Sequence, residues 1–136
     1  MVLSLPHELK PGLHGTAEIV VGTRDTAPHV GSGKIGVLAT PIMVNLMEAA
    51  ALQAVERLMP PGHQTVGTRL DVRHFAATPV GLRVRARAEL VAVDGRTLTF
   101  SIVADDERER IGEGTHERLI INVERFDLRM QKKLAR

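Results

Sequence analysis

The chain has 136 residues, a length typical of one domain, and 43% of its residues are hydrophobic. It has no cysteine, which excludes both a disulfide framework and a thiol nucleophile. Its 18 basic and 16 acidic side chains give a net charge of +2, and its only aromatic residues are three phenylalanines. This near balance of charge, with almost no ring to stack on bases, argues against a nucleic-acid partner.

The N-terminus does not have the pattern of a secretory signal, because its apolar start is short and Glu8 follows it. No uncharged apolar run approaches the roughly 20 residues needed to span a bilayer. We therefore expect one domain over residues 1–136, located in the cytoplasm and without a membrane partner. The basic segment from about residue 127 is expected to form a loosely ordered tail.

The first predicted elements are a strand and a long loop. Alternating apolar and polar residues from His14 to Thr23 predict a strand. The following segment, Asp25–Gly36, is rich in glycine, and Gly31, Gly33 and Gly36 have the spacing of a dinucleotide-binding fingerprint. Such a fingerprint leaves a strand and opens directly into a helix, which this segment does not do. We interpret the segment as a flexible flap beside an active site.

The longest predicted element is a helix over Ala39–Met59. Thr40 suits the N-cap and Pro41 the first helical position, and one face of the segment is apolar. Glu48 lies on the polar face, yet its immediate neighbours in the chain are uncharged and mostly apolar. Two interpretations of Glu48 remain open: a solvated surface carboxylate, or a partly desolvated one that takes part in chemistry.

A histidine stands near the end of the next predicted strand. From His63 to Phe75 the even positions are largely apolar and the odd positions charged, with Val66, Leu70 and Val72 predicted to face inward. The same alternation places His74 on the inward face. His74 is therefore either a core histidine bonded to a backbone carbonyl or a group that transfers protons near neutral pH.

Three more strands follow a turn. Leu82–Val93 and the segment after it form a hairpin, because Asp94-Gly95 is a type I′ turn signal. The last strand is predicted over Ile111–Phe126, after a charged turn. One helix and five antiparallel strands make a two-layer α+β domain. In the last strand, the alternation predicts an outward face made of His116, Arg118 and Asn122.

Four segments in this order resemble the hotdog-fold acyl-CoA thioesterases of the fluoroacetyl-CoA thioesterase type: VLATPIMVNLMEAA, TVGTRLDVRHFAATPVG, VDGR and IGEGTHER. The resemblance runs from about Val37 to Phe126. It implies an antiparallel sheet wrapped round one long central helix. It also implies a homodimer, or a higher oligomer built from it, with a site at the subunit interface. The implied ligand is an acyl-CoA, and no cofactor is expected beyond the coenzyme A of the substrate.

The resemblance also implies roles for five residues. Thr40, Glu48 and His74 correspond to catalytic residues, Gly67 to a backbone donor for the thioester carbonyl, and Arg118 to a substrate contact. The implied reaction is hydrolysis of a short-chain acyl-CoA to the free acid and CoA, with Glu48 as nucleophile or general base. Thr40 and Glu48 are eight residues apart, about 12 Å along a helix axis. If both act on one carbon, they come from different subunits.

One other function is compatible with the sequence, and two further classes are disfavoured. An acyl-CoA or small-ligand binding protein without catalysis, on the same fold, remains the alternative. A hotdog dehydratase is disfavoured because no Asp–His pair stands at the start of the helix. Six scattered histidines lack metal-ligand spacing, so no metal site is expected. The fluoroacetyl enzyme has an aromatic lid before its helix, whereas Asp25–Gly36 has no aromatic residue, which favours another short acyl-CoA as substrate.

Overall fold

A computed structural model describes residues 3–135 and contains one sheet and one long central helix. The helices are α1 (Ala27–Val30), α2 (Thr40–Val55) and α3 (Val123–Leu134). The strands are β1 (His14–Val20), β2 (His63–His74), β3 (Arg83–Asp94), β4 (Thr97–Asp106) and β5 (Arg110–Asn122). They pair antiparallel in the order β1-β3-β4-β5-β2. The predicted fold class, an α+β domain with an antiparallel sheet around one long helix, is confirmed.

α2 forms because its apolar residues recur at helical spacing, and that face lies against the sheet. A short 3-10 turn over Glu56–Leu58 continues the helix, so that Pro60 and Pro61 follow its end as predicted. β1 crosses α2 so closely that a Cβ on Gly15 would collide with the carbonyl oxygen of Ala50. The buried face of α2 consists of Met43, Leu46, Met47, Ala50, Ala51, Ala54 and Val55.

The β3–β4 hairpin supplies the other half of the core. Seven of its nine predicted inward residues are fully buried: Val84, Ala86, Ala88 and Leu90 on β3, with Leu98, Phe100 and Ile102 on β4. Leu82 precedes β3 and is only partly buried, and Ala92 is exposed because the pairing of β3 with β4 shifts between Leu90 and Ala92. The predicted type I′ turn is wrong in detail. Asp94 pairs with Thr97, and of the two residues between them Gly95 has φ of +60° while Arg96 has no positive φ. A glycine at the first central position is typical of a type II′ turn instead.

The last strand ends earlier than its sequence pattern predicts. β5 stops at Asn122, and the side chain of this residue accepts a hydrogen bond from the backbone N–H of Arg125 at 3.0 Å. That bond caps the N-terminus of α3, so the residues up to Phe126 belong to the helix. The predicted loose order of the tail from about residue 127 remains a prediction. No helix in residues 3–135 is both long and apolar enough to cross a bilayer.

The predicted facing of side chains is wrong at several positions of β5 and β2. His116 and Arg118, predicted to face outward, are buried, with exposures of 0% and 6%. Both have polar partners on the inner side of the sheet: the carbonyl oxygen of Arg69 for His116 and the hydroxyl of Thr65 for Arg118. On β2 the pairing with β5 shifts between Gly67 and Arg69. Such an irregularity changes the phase of the side-chain alternation, so the buried residue in the first half of β2 is Thr65 rather than Val66. Leu70, also predicted to face inward, is 38% exposed.

Candidate functional site

The first group of candidate residues joins the start of α2 to the end of β2. The hydroxyl oxygen of Thr40 lies 2.7 Å from Nδ1 of His74. Thr40 was predicted as the N-cap, but Ala39 holds that position and Thr40 is the first helical residue. Because its hydroxyl makes no capping bond, it is available to the imidazole. The predicted start of the helix is therefore correct to within one residue. The hydroxyl of Thr40 contacts His74 rather than a backbone N–H of the helix.

His74 is half-buried and keeps one nitrogen without a protein partner. Its Nε2 is buried and has no hydrogen-bond partner among the described residues. Burial lowers the pKa of His74 below its ordinary value of 6.5, and the backbone of Ala76 opposes this in part. The neutral imidazole that results can accept a proton from a hydroxyl or a water molecule. The hydroxyl–imidazole pair is thus equipped for proton transfer.

The pair opens into a cleft of about 350 Å³. One wall is the loop after α1, which contributes Lys34 and Ile35, and the opposite wall includes Phe75. This loop belongs to the glycine-rich segment that was predicted to form a flap. Its side chains are exposed, with Ile35 at 70%. Lys34 brings a positive charge to the wall of this cleft.

The second group is centred on an ion pair between α2 and β5. Nη1 of Arg118 lies 3.4 Å from Oε2 of Glu48. The guanidinium is fixed from the other side by Thr65, to which Nε donates at 2.9 Å (side chain) and Nη2 at 3.1 Å (carbonyl). Burial lowers the pKa of Arg118, and the charge of Glu48 opposes this effect. The carboxylate is the exposed partner, with 38% of its side chain accessible.

The carboxylate of Glu48 lies directly over the backbone of Gly67. A Cβ added at Gly67 would sit 2.5 Å from Oε2 of Glu48 and 3.3 Å from Cε1 of His116. Only a residue without a side chain leaves this space open. The carboxylate therefore occupies the side of β2 on which a side chain at position 67 would lie.

His116 belongs to the second group, although the sequence pattern predicted an outward side chain and no functional role for it. Its Nδ1 lies 2.8 Å from the carbonyl oxygen of Arg69, and its Nε2 lies 3.3 Å from Nη1 of Arg118. Burial and the charge of Arg118 lower the pKa of His116, partly opposed by its bond to the Arg69 carbonyl and by two glutamates. The sequence did contain a signal for the position of His116, because residues two apart on a strand lie on the same face. Once Arg118 is placed inward, His116 must follow.

The five predicted residues therefore fall into two groups within one chain. Thr40 contacts His74, whereas Glu48 lies with Gly67 and Arg118. The groups are separated along α2 by about 12 Å. Within residues 3–135, no three histidine, aspartate or glutamate side chains cluster as metal ligands would.

Comparison with known proteins identifies relatives over most of the chain. Residues 21–124 match the family described as fluoroacetyl-CoA-specific thioesterase. The fluoroacetyl-CoA thioesterase of Streptantibioticus cattleyicolor is 44% identical over 97 residues, which are 71% of this chain and 70% of that protein. A solved fluoroacetyl-CoA thioesterase structure shares 37% identity and a TM-score of 0.87, covering 92% of this chain and 97% of its own. A Thermus thermophilus thioesterase superfamily member shares 25% identity and a TM-score of 0.86, with 93% and 94% covered.

Proposed function

Because this chain belongs to the fluoroacetyl-CoA-specific thioesterase family, we propose that it hydrolyses a short-chain acyl-CoA thioester to the free acid and CoA. The observation that carries the proposal is the carboxylate of Glu48, held by Arg118 over the backbone of Gly67. If the backbone N–H points to the same space as the carboxylate, the carboxylate can attack the carbon of a carbonyl group while the N–H donates to its oxygen. That is the requirement for attack on a thioester.

In the proposed reaction Glu48 acts as nucleophile or as general base. As nucleophile, its oxygen bonds to the thioester carbon, the C–S bond breaks, and water then hydrolyses the mixed anhydride. As base, it takes a proton from the attacking water, whose oxygen bonds to that carbon instead. In both routes the thiolate of CoA leaves and receives a proton. That proton comes from the attacking water, directly or by way of Glu48. The neutral His74, with Thr40 as its hydrogen-bonded relay, accepts it and passes it to the thiolate.

The negative charge that develops on the carbonyl oxygen needs donors. We assign the backbone N–H of Gly67 to this role. A well-placed donor of this kind contributes about 3–4 kcal/mol to the stability of a transition state. Arg118 supplies positive charge on the side of Gly67 where Glu48 lies, and its ion pair with Glu48 partly neutralises that charge. We propose that Arg118 acts on the substrate through its charge, because the buried guanidinium is already bonded to Thr65, His116 and Glu48.

We propose that a homodimer brings the two groups together, with Thr40 and His74 contributed by one subunit and Glu48 by the other. The supporting observation is the position of β2, which lies at the edge of the sheet and pairs only with β5 within the described chain. Near this edge, Leu70 is 38% and Phe75 47% exposed. An exposed edge strand with apolar side chains is a ready surface for a second copy.

Three further features remain proposals. The whole chain, residues 1–136, acts as one domain in the cytoplasm. It uses no cofactor beyond the CoA of its substrate. The acyl group is short but differs from fluoroacetyl, because the loop beside the cleft has Lys34 and Ile35 and no aromatic residue.

A panel of acyl-CoA substrates tests the proposal, with release of free thiol as the readout. We expect turnover of short acyl-CoAs by the wild-type chain and loss of turnover in Glu48→Gln. Binding of acyl-CoA without release of thiol from any member of the panel would indicate a non-catalytic binding protein instead.

A further inference from the structure

We propose that His116 is a positioning residue, which orients Arg118, and through it Glu48, by accepting a hydrogen bond as a neutral imidazole. The inference rests on the proposed function, since it concerns the same carboxylate. It is carried by a continuous chain of contacts from β2 through β5 to α2. The distances in this chain are 2.8 Å from Arg69 O to His116 Nδ1, 3.3 Å from His116 Nε2 to Arg118 Nη1, and 3.4 Å from Arg118 Nη1 to Glu48 Oε2.

The two neighbours of His116 determine where its proton lies. The carbonyl oxygen of Arg69 can only accept a hydrogen bond, so Nδ1 must carry the hydrogen. The guanidinium of Arg118 can only donate, so Nε2 must present its lone pair. Both conditions hold together in one form of the ring alone, the neutral Nδ1–H tautomer. His116 is 0% exposed, so water cannot replace either partner without a rearrangement.

This contact completes the restraint on Arg118. Thr65 accepts from Nε and Nη2, which fixes two of the three guanidinium nitrogens on the strand side. His116 and Glu48 share the remaining nitrogen, Nη1. Without an acceptor at His116, Nη1 has no buried partner on the strand side, and the guanidinium is free to turn about its bonds to Thr65. The carboxylate of Glu48 would then lose its fixed place over Gly67.

Protonation of His116 would remove the acceptor and set an N–H against the N–H of Arg118. The charged side chains that influence the imidazole are Arg118 and Glu117 on its own strand and Glu48 on α2. Arg69 on β2 contributes its carbonyl, and the ring of Phe100 on β4 lies 6.1 Å away between centroids. Burial and Arg118 hold the pKa of His116 below 6.5, so the accepting form persists at neutral pH and is lost on acidification.

The tautomer can be read without any activity. In ¹⁵N NMR spectra of the full chain at neutral pH, we expect the imidazole of His116 to carry its hydrogen on Nδ1, with an unprotonated Nε2. An Nε2–H tautomer, or an imidazolium at neutral pH, would overturn the inference. This measurement does not depend on whether the chain is a thioesterase.

Variants of His116 test the consequence for catalysis. His116→Phe fills the space without an acceptor. It should lower kcat by about tenfold to a hundredfold, the range seen for outer-shell partners of metal ligands. His116→Gln restores a neutral oxygen that can accept from Arg118, and should recover much of kcat with a shallower loss of activity at acid pH. KM should change less than kcat in both.

A matched control is His63→Phe. His63 also lies on the β2–β5 ladder and contacts a backbone carbonyl, that of Pro61 at 3.0 Å, but it does not contact Arg118. It should keep wild-type kcat. Wild-type kcat in a folded His116→Phe chain would contradict the positioning role while Glu48→Gln stayed inactive. Full activity of Glu48→Gln would instead contradict the proposed function itself.

Discussion

The two groups of the candidate site are held in opposite ways. Thr40 and His74 are joined by one hydrogen bond between separate elements, and Nε2 of the imidazole has no partner among the described residues. Arg118 has four polar contacts, to Thr65, His116 and Glu48, and is almost fully buried. The first group can exchange protons with a ligand because it is incompletely bonded. The second fixes a charge in space because it is fully bonded.

The largest effect is expected where the fixed charge is removed. Glu48→Gln keeps the shape of the side chain and its contact with Arg118 but removes the nucleophile or base. We expect kcat for the best acyl-CoA of the panel to fall by about 10³-fold or more. The thermal unfolding midpoint should change little, because 38% of this side chain is exposed. Thiol release and circular dichroism check the two expectations.

A methyl group at Gly67 should disturb the same charge by steric contact alone. The added Cβ of Gly67→Ala would lie 2.5 Å from Oε2 of Glu48, so the carboxylate must move away. We expect kcat to fall by about a hundredfold, the scale of displacing a reacting group by about 1 Å. Gly36→Ala is the control, because a Cβ at Gly36 meets no atom within 4 Å. Equal losses in both variants would contradict the steric account.

The loosely held group should tolerate more change. Thr40→Ala removes the hydroxyl bonded to His74 and should lower kcat by roughly tenfold to a hundredfold, at the low end of general acid–base contributions. Thr40→Ser keeps the hydroxyl and should retain most of the activity. Steady-state kinetics of the two variants check this. A Ser variant as slow as the Ala variant would show that the methyl group, rather than the hydroxyl, matters.

The smallest effect concerns stability and pH. The pKa values of His74 and His116 in the folded chain are lower than their ordinary value of 6.5. The unfolded chain therefore binds more protons at acid pH, and the free energy of unfolding should fall as pH drops below about 6.5. Urea unfolding at a series of pH values measures this. His116→Gln should show a weaker dependence, and a dependence equal to that of the wild type would contradict the assignment.

The sequence predicted the helix, most of the β3–β4 hairpin and the fold class because long stretches of these regions follow a single period. The period of β3 breaks after Leu90, where its pairing with β4 shifts, and the predicted inward Ala92 is exposed. The predicted facing of side chains was wrong where polar contacts, rather than the alternation of apolar and charged residues, determine which residues are buried. His116 and Arg118 looked like an outward face because charged residues are usually solvated, whereas Arg118 is buried against Thr65. The irregularity at Gly67 changes the side-chain phase of β2. The isolated glycine in this strand was a signal for it, because glycine inside a strand often marks a bulge.

The candidate site was predictable only in part. Residue pattern singled out Glu48 and His74 as open questions, and the family resemblance supplied Thr40, Gly67 and Arg118. Spacing along one helix correctly indicated that Thr40 and Glu48 do not meet within a chain. The contact between Thr40 and His74 joins residues 34 positions apart, which no local pattern can reveal.

Mixing two impaired variants tests the central claim most directly. In a two-fold dimer of Thr40→Ala and Glu48→Gln subunits, one site combines an intact Glu48 with the intact Thr40 of the other subunit. After subunit exchange, confirmed by native mass spectrometry, we expect activity to rise to about one quarter of the wild-type value, since half of the dimers are mixed and each has one intact site. Mixed dimers with no more activity than either variant would contradict a site shared between subunits.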